Sequence, residues 1–317
     1  MTLVLSTSPG FGRHGIVPER LAETGWEVIR CLEPGEMEAR LAEADFIVVG
    51  LLPVTAAHLA AAPRLKGVLK HGVGVDNIDV AACTARGLPV LNAPGANADA
   101  VAELATGLMF ALAREIPAGH ASVTGGRWER RVGRELGGKT LGIVGLGNIG
   151  RRLALKARGL GMRVVAHDPF ADPGFAEANG IALLALEELL SRSDYVSLHV
   201  AGTATLLDPD RIAGMKPGAC LLNLARGEVV DLDALQAALE AGRLAGAAID
   251  AYVQEPPDTS HPIFRNPKVV FMPHSGGDTL EAIERVGLMN IEDIEALLAG
   301  GRPARILNAV PSGVTAS

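Results

Sequence analysis

Three ionisable residues in the second half of the chain have side chains suited to proton transfer on a small acid. Arg226, Glu255 and His274 stand in the runs NLARGEVVD, DAYVQEPP and MPHSGG, each shortly after an apolar run. An imidazole can exchange a proton with a hydroxyl or carbonyl group near neutral pH, and a neighbouring carboxylate orients it and favours its protonated form. A guanidinium can bind a carboxylate through two hydrogen bonds and stabilise negative charge on an adjacent carbonyl oxygen.

Each of these residues also has an ordinary structural interpretation. A histidine after a strand is often a turn residue, an arginine before glycine often lies on the surface, and a glutamate before Pro-Pro often ends a loop. However, open α/β sheets bind ligands beyond the carboxyl ends of their strands. Three such groups at three predicted strand ends therefore favour a shared site over chance.

The segment 139–150, KTLGIVGLGNIG, predicts the strand, turn and helix of a dinucleotide site. A short β-branched run is followed by glycines in GxGxxG spacing and then by a helical pattern. In this motif the first glycine permits the tight turn, the second lets the backbone approach a pyrophosphate, and the third lets the helix pack against the strand. The helix N-terminus then faces the negative charge. The residues expected to contact the cofactor here are Gly145, Gly147, Asn148, Ile149 and Gly150.

An acidic residue completes this motif. Asp168 ends the next predicted strand, 18 residues after Gly150, close to the spacing of about 20 at which a carboxylate meets the adenine ribose hydroxyls. Pro169 and Phe170 follow it, with no arginine to receive a 2′-phosphate. The sequence therefore predicts NAD rather than NADP, and a chance glycine-rich turn explains the whole pattern poorly.

Composition narrows the class of protein. The 317 residues suffice for two domains, and 29 basic against 36 acidic residues make nucleic acid an improbable partner. The N-terminal run is too short for a signal peptide, and no apolar run reaches the length of a membrane span. Cys31, Cys83 and Cys220 lack paired spacing, so we expect reduced, buried thiols in a cytoplasmic protein without a metal site.

The first 92 residues predict a parallel α/β domain without a phosphate loop, because short apolar runs alternate with helical patterns. Helices are expected to start near Pro18 and Thr55. The predicted strands are Leu3–Leu5, Glu27–Cys31, Phe46–Val49, Gly67–Leu69 and Pro89–Leu91. A long apolar helix is predicted over Ala98–Arg114, followed by an irregular arm over His120–Gly138 in which Trp128 is a packing anchor.

The rest of the chain predicts a second parallel sheet. Its strands are expected at Thr140–Val144, Arg163–His167, Tyr195–Val200, Ala219–Asn223, Gly246–Asp250 and Val269–Phe271, with a further strand pattern at Arg305–Leu307. Helices are expected at Asn148–Leu160, Asp208–Met215, Asp231–Ala241 and Gly277–Gly300. Ile149, Leu153, Leu155 and Leu160 are the predicted packing positions of the first of these helices, and Pro311–Ser317 is expected to fray.

Six motifs in one order give the chain a resemblance to a known family. HGVGVDNID, NADAVAELATGL, GLGNIG, NLARGEVVD, DAYVQEPP and PHSGG, spread between Leu65 and Asn308, resemble the D-isomer-specific 2-hydroxyacid dehydrogenases. Within that family the chain is most similar to D-3-phosphoglycerate dehydrogenases that lack a regulatory domain.

The resemblance implies roles for the residues already singled out. Arg226 would bind the substrate carboxylate and carbonyl, His274 would be the acid and base, and Glu255 would be its partner. Asp250 would support the cofactor site. The substrate-binding turn would be Gly72, Val73 and Gly74, whose backbone N–H groups could hold a carboxylate, although a plain tight turn is the alternative. Lys70 and His71 beside it could meet a second anionic group or could be solvated.

The same resemblance implies a fold and an assembly. It predicts an α/β protein with two doubly wound, parallel-sheet, Rossmann-like domains, the NAD-binding one inserted into the substrate domain. The flavodoxin-like substrate domain would comprise residues 1–96 and 283–317, and the NAD-binding domain residues 97–282. Subunits would form a homodimer through the cofactor domains and the arm 115–138. The expected activity is the NAD-dependent interconversion of a small D-2-hydroxy acid and its 2-oxo acid.

Two departures leave the substrate open. No basic residue occurs from Phe46 to Thr55, where phosphoglycerate enzymes carry an arginine for the phosphate. The run AGTATLLD after His199 is also shorter than usual, although a scaffold tolerates loop deletions. A second hypothesis from another class is a non-catalytic NAD(H)-sensing interaction protein, similar to the corepressors that share this fold.

Overall fold

The computed structural model describes residues 1–310 and divides the chain into two compact units. Unit 1 comprises Met1–Asn97 together with the described chain from Gly277 onward, and unit 2 comprises Ala98–Gly276. The fraying predicted for Pro311–Ser317 concerns residues outside the described range. A parallel α/β architecture in both units confirms the predicted fold class.

The elements of residues 1–310 are numbered here in chain order. The strands are β1 Leu3–Ser6, β2 Glu27–Arg30, β3 Phe46–Val49, β4 Gly67–Lys70, β5 Val90–Leu91, β6 Thr140–Val144, β7 Arg163–His167, β8 Ala182–Leu183, β9 Tyr195–Leu198, β10 Cys220–Asn223, β11 Gly246–Ile249 and β12 Val269–Phe271. The α-helices are α1 Val17–Thr24, α2 Ala56–Ala61, α3 Val80–Ala85, α4 Ala98–Ala113, α5 Ile116–Thr124, α6 Asn148–Gly159, α7 Pro173–Ala178, α8 Leu186–Arg192, α9 Pro209–Gly214, α10 Leu232–Glu240 and α11 Leu280–Leu298. Short 3₁₀ turns occur at Glu38–Glu43, Gly227–Val229 and Pro262–Arg265.

Unit 1 is built on a parallel sheet in the order β2-β1-β3-β4-β5. The central strands β1 and β3 are buried along their whole length, as expected of apolar strands covered on both faces. α11 packs with α1 on one face, where Ile294 joins the core of Phe11, Phe46 and Leu69. The C-terminal helix therefore completes the core that the first residues of the chain begin.

The C-terminal end of the described chain also covers the β5 edge. Leu91 and Ile306 form a single antiparallel bridge, and Val90 N donates a hydrogen bond of 2.8 Å to Asn308 Oδ1. The strand predicted over Arg305–Leu307 is therefore wrong, because a single bridge, closed by a bond of 2.8 Å from Leu307 N to Val90 O, replaces a ladder. The start of α11 is also later than predicted, since Thr279 caps it by accepting a bond from Ala282 N.

Unit 2 is built on a parallel sheet in the order β12-β11-β10-β9-β6-β7-β8. α4 and α6 pack on one face of this sheet, and α8, α9 and α10 pack on the other. The predicted strands from β6 to β12 are confirmed within two residues, whereas β8 was not predicted. Leu153 is fully buried as predicted, but Leu155 is 48% exposed, so its predicted packing position is wrong.

The segment after α4 differs in part from the predicted irregular arm. α5 reaches Thr124, so the first residues of the predicted arm are helical, and Gly125–Gly138 then contains neither helix nor strand. Trp128 is 84% exposed in this chain. It packs into no core of the described residues, contrary to an anchoring role within the chain.

Each sheet begins with the same carboxylate contact. In unit 1, Asp45 accepts a hydrogen bond of 2.9 Å from Leu3 N and lies 3.3 Å from Lys66 Nζ. In unit 2, Asp194 accepts bonds of 2.9 Å from Thr140 N and 2.7 Å from Lys216 Nζ.

Both aspartates precede the strand that pairs with the first strand of the sheet. Each carboxylate therefore fixes the start of that first strand. We refer to Asp45 and Asp194 as the latch aspartates.

Candidate active site

The glycine turn between β6 and α6 has the geometry that the GxGxxG spacing predicts. Gly145 has a φ of +96°, and a Cβ there would lie 2.5 Å from the carbonyl oxygen of His199. A Cβ on Gly150 would collide with the carbonyl of Gly145, so the helix packs closely on the turn. Nothing lies within 4 Å of a Cβ placed on Gly147, and this N-cap residue of α6 offers no side-chain cap to the helix. The turn thus leaves room for an anionic group at the helix N-terminus.

Asp168 lies at the end of β7 beside this turn. Its Oδ2 accepts a hydrogen bond of 2.8 Å from Leu146 N within the glycine turn, and its Oδ1 accepts one of 2.8 Å from Phe170 N. These two bonds fix the carboxylate next to the turn, while each oxygen retains a further lone pair for a ribose hydroxyl. The residues present therefore fit a dinucleotide.

Arg151 is a neighbour of this site that the sequence analysis missed. Its Nε donates to Leu146 O at 3.2 Å, its guanidinium stacks over the ring of Phe175 at 4.8 Å, and Nη1 lies 3.6 Å from Asp172. A search for an arginine after the acidic residue could not find it, because it comes from the helix instead. It is the positive charge nearest in sequence to the third glycine of the turn.

The candidate acid and base form a close pair. His274 Nδ1 lies 2.7 Å from Glu255 Oε1. A carboxylate can only accept, so Nδ1 carries the proton and Nε2 remains for a substrate. His274 also has a φ of +53°, a left-handed backbone that is uncommon for a residue other than glycine.

Asp250 holds the loop that carries this histidine. It is buried at the end of β11, and its carboxylate accepts bonds of 2.8 Å from Ser275 N and 2.9 Å from Gly276 N. Two amides directly after His274 are thus clamped by one charge. Its predicted contact with the cofactor stays a prediction, because these two bonds concern the protein alone.

Arg226 follows β10 on the neighbouring strand end. Asn223 Nδ2 donates to Arg226 O at 2.8 Å, and Asn223 Oδ1 accepts from Ala225 N at 3.1 Å, so the end of the strand is tied to the loop. A Cβ on Gly227 would lie 2.7 Å from the Cα of Tyr252. Since Tyr252 N donates to Glu255 Oε1 at 3.3 Å, the Arg226 and Glu255 loops are packed directly against each other.

His199 is a further buried histidine near the glycine turn. Burial lowers its pKa to about 4, so the imidazole is neutral. Its Nε2 lies 2.8 Å from Ser197 Oγ, and Nδ1 has no hydrogen-bond partner in the described chain. A neutral imidazole supplies no charge at this strand end.

The predicted carboxylate-binding turn lies in unit 1, after β4. Gly72 has a φ of +153°, and its carbonyl accepts a bond of 2.8 Å from Ala93 N. Asn92 Nδ2 donates to Val73 O at 2.7 Å. These bonds engage the carbonyls of the turn and orient its backbone.

Lys70 and His71, which precede the turn, have partners inside unit 1. Lys70 Nζ donates to Gly50 O at 2.7 Å and to Asn77 Oδ1 at 2.8 Å. Burial lowers the pKa of His71 to about 4, against the opposing bond of its Nδ1 with Asn290. A neutral imidazole is poorly suited to a second anionic group.

The described residues contain neither a metal-binding cluster nor a membrane-spanning helix. No group of three or more histidine, cysteine, aspartate or glutamate side chains within residues 1–310 could hold a metal ion. No helix in this part of the chain is long and apolar enough to cross a membrane. The three cysteines are free and buried, as predicted.

Comparison with known proteins gives a match over more than half of the chain. Residues 106–276 match the model of the family described as D-isomer specific 2-hydroxyacid dehydrogenase, NAD binding domain. A D-3-phosphoglycerate dehydrogenase of Mycobacterium tuberculosis is 41% identical over 295 residues, which are 90% of this chain and 56% of that protein. The chain spans about half the length of the curated relatives it matches first.

Solved structures give the same result over nearly the whole chain. The TT0316 protein from Thermus thermophilus matches with a TM-score of 0.88 and 35% identity, covering 97% of this chain and all of that one. A D-lactate dehydrogenase from Aquifex aeolicus, complexed with NAD and lactic acid, matches with a TM-score of 0.81 and 27% identity over 94% of this chain and 96% of that one.

Proposed function

We infer the function of this chain from its family, since it belongs to the D-isomer-specific 2-hydroxyacid dehydrogenases and contains their NAD binding domain. We propose that it is an oxidoreductase that uses NAD to interconvert a small D-2-hydroxy acid and its 2-oxo acid. The observation that carries this proposal is the 2.7 Å pair of His274 and Glu255, packed beside the Arg226 loop at the carboxyl ends of the unit 2 strands.

The residues divide the work of the reaction among them. The cofactor, when bound, would supply the hydride-transfer chemistry at C2 of the substrate, its oxidised form serving oxidation and its reduced form reduction. His274 Nε2 gives a proton to the carbonyl oxygen during reduction and takes it back during oxidation. Glu255 accepts from Nδ1 and so fixes the imidazole with Nε2 left for the substrate. Arg226 binds the substrate carboxylate and stabilises negative charge at the carbonyl oxygen.

Asp168 carries the proposed preference for NAD over NADP. Its carboxylate is fixed at the end of β7, where it would repel a 2′-phosphate. We expect Asp168→Ala to weaken NAD binding and so to narrow the preference for NAD over NADP. Without the carboxylate, the nearby Arg151 could attract the 2′-phosphate of NADP. Titrations of both cofactors measure this, with Asp278→Ala as an exposed control. Equal efficiency with both cofactors in the unchanged protein would contradict the assignment.

Unit 1 is proposed to be the substrate domain, with the Gly72-Val73-Gly74 turn as the carboxylate site. The loop after β3 is apolar, and Leu51 is 78% exposed there. No basic residue of 46–55 stands in the place of the arginine of phosphoglycerate enzymes. The ammonium of Lys70 reaches this loop from β4, where it donates to Gly50 O and to Asn77 Oδ1. We therefore propose 2-oxo acids in general as the substrate class. The experiment below decides whether the substrate carries a phosphate group.

The decisive experiment is NADH consumption with a panel of 2-oxo acids, including pairs that differ only by a phosphate group. Turnover of at least one acid, with the D-hydroxy acid as product, is the expected result. Absence of turnover across the panel together with intact NADH binding would favour the non-catalytic sensor. Within residues 1–310, no specific observation supports that second function.

Assembly and location are proposals of the same kind. We propose a homodimer in which the arm 115–138 contacts the partner subunit, since Trp128 and Val132 on this arm are 84% and 96% exposed in a single chain. Sedimentation velocity measures the state directly, and a monomer at all concentrations would contradict it. Three free, buried thiols agree with a reducing cytoplasmic environment.

A further inference from the structure

Unit 2 contains a cavity of about 320 Å³ that the proposed reaction does not use. It lies between the sheet, α10 and the loop that leads from β11 to β12. Leu221, Leu235 and Ile263 line it and belong to the core on the α8–α10 face of the sheet. α6, whose N-terminus follows the glycine turn, packs on the opposite face. The cavity is therefore separate from the dinucleotide turn.

The walls of the cavity are apolar and partly aromatic. Phe264 lines it and stacks on Tyr252 at 6.1 Å and on Phe271 at 4.8 Å between ring centroids. The Tyr252 hydroxyl donates to Met272 O at 2.7 Å, so the ring is held in place. Pockets that bind small organic molecules begin at about 300 Å³, and a cavity of about 150 Å³ already binds benzene. The space fits one or two fused aromatic rings.

The polar groups of the cavity select against anions. Asp258 lines it, and the bond from Ser260 N lowers the pKa of this carboxyl, which keeps it ionised. His261 accepts from Ile263 N through Nδ1 and directs Nε2 to Asp233 Oδ1 at 3.1 Å. Both nitrogens of His261 are thus engaged, and the Asp258 carboxylate is the hydrogen-bond acceptor at this end. The other walls are mostly apolar and disfavour a charged occupant, so the cavity suits a neutral aromatic molecule with an N–H donor.

The loops that carry Arg226 and Glu255 form part of the cavity wall. Gly227, directly after Arg226, is part of its wall, and so are Tyr252 and Gln254 in the loop before Glu255. We propose that this cavity is a regulatory site for a small, uncharged aromatic molecule with an N–H donor, whose binding moves the loops of Arg226 and Glu255. The site itself depends only on unit 2, whereas its effect on turnover rests on the proposed function.

Binding is tested with indole as the probe, on the full chain saturated with NAD so that the cofactor site is blocked. Isothermal titration calorimetry should give one site per chain. Leu235→Phe fills the cavity and should weaken binding at least tenfold, whereas Leu183→Phe, the same change on an exposed strand residue, should leave it unchanged. If Leu235→Phe fails to fold, a crystal structure of the unchanged protein with indole decides the location. No binding, or indole located elsewhere, would overturn the site.

Regulation is tested separately from binding. Saturating indole should change kcat/KM for the best 2-oxo acid at least threefold and displace the pH–rate profile, because Glu255 holds His274. The Leu235→Phe enzyme should not respond. Indole in the cavity of an active enzyme without any kinetic change would overturn the regulatory role. An enzyme inactive on every acid would instead contradict the proposed function, while calorimetry would still decide the site.

Discussion

His274 is held in a backbone conformation that its residue type disfavours. A left-handed residue other than glycine costs about 1–3 kcal/mol, which the surrounding structure must offset. The clamp of Asp250 on the amides of Ser275 and Gly276 provides such support directly after the strained residue. At the scale of single residues, the fold therefore accepts a strained backbone at His274, and this backbone directs the imidazole towards Glu255.

Replacing His274 with alanine should remove the proton donor and leave the cofactor site intact. We expect kcat for 2-oxo acid reduction to fall by about 10²–10⁴, the usual contribution of general acid–base catalysis. NADH titration should be nearly unchanged. His14→Ala, at a partly exposed position before α1 in unit 1, is the matched control. Near-normal reduction by the His274 variant would show that another group supplies the proton.

Replacing Glu255 with glutamine should have a milder effect than removing His274. Glu255 Oε1 lies 2.7 Å from His274 Nδ1 and also accepts from Tyr252 N at 3.3 Å. A glutamine offers only one acceptor oxygen for these two donors and holds the imidazole less firmly. We expect kcat for reduction to fall by less than in His274→Ala, with NADH binding unchanged. Glu177→Gln, exposed on α7, is the control for a lost charge, and an unchanged kcat in Glu255→Gln would contradict the partnership of Glu255 and His274.

At the scale of elements, the sequence predicts best where one signal acts alone. The runs Phe46–Val49, Thr140–Val144 and Arg163–His167 are apolar or β-branched and become strands with the predicted bounds. Asp231 and Thr55 were predicted as helix starts because their side chains can cap a helix, and both do so. Strand patterns and caps are local, so a single sequence contains them.

The missed features depend on contacts distant in sequence. β8 is two exposed residues that pair with β7. It lies inside an apolar run, 181–186, that leads directly into α8, so the sequence does not separate the strand from the helix. Leu155 fits the helical period but is 48% exposed. The close approach of the Arg226 and Glu255 loops rests on Gly227, whose need for a missing side chain appears only when Tyr252 is seen beside it. The residue types of Arg226, Glu255 and His274 thus allowed them to be predicted as one site. The packing that brings their loops together could not be predicted.

The latch aspartate of unit 2 should stabilise the fold in a pH-dependent way. Burial opposes ionisation of Asp194, but the bonds from Lys216 and Thr140 N outweigh it and lower the pKa of this carboxyl below its ordinary value of 3.8. Its contribution is therefore present above that value and is lost as the pH falls through the lowered folded-state pKa. Asp194→Asn should cost about 1–3 kcal/mol at neutral pH.

Urea-unfolding midpoints of the unchanged protein and of Asp194→Asn, at neutral pH and at about pH 3, measure this effect. The difference between Asp194→Asn and the unchanged protein should shrink at the acidic pH, where the wild-type carboxyl begins to protonate. Asp278→Asn, exposed outside both sheets, should change the midpoint little at either pH. A constant difference across the two conditions would mean that the charge of Asp194 is not what stabilises β6.

At the scale of the whole molecule, both units repeat one plan. The order β2-β1-β3-β4-β5 of unit 1 recurs in unit 2 as β7-β6-β9-β10-β11, with β8 and β12 added at the edges. The latch aspartates occupy the same place in both sheets. What the two units share is a strand order and one carboxylate contact.

Unit 1 should fold without unit 2. Its two segments meet where unit 2 is inserted, since a Cβ on Gly277 would lie 3.0 Å from Asn97 Nδ2. Replacing residues 98–276 with a short Gly-Ser linker should give a cooperative α/β domain by circular dichroism and thermal unfolding. Residues 1–97 alone should not fold, because they lack α11 and the cover of the β5 edge. If the linked protein did not fold and residues 1–97 alone did, α11 would not be needed to complete the core of unit 1.

The position of α11 also sets an order of events on the ribosome. Unit 2 is one continuous stretch, so it can fold once residue 276 has emerged, whereas the first 97 residues must wait for Ile294, Ile306 and Asn308. Until then the nascent chain carries an uncovered apolar sheet face and an unpaired β5 edge, which are templates for association with other chains. Residues 1–97 thus complete their fold only after unit 2 has emerged, and a pause in translation before residue 308 would prolong their exposure to chaperones and to aggregation.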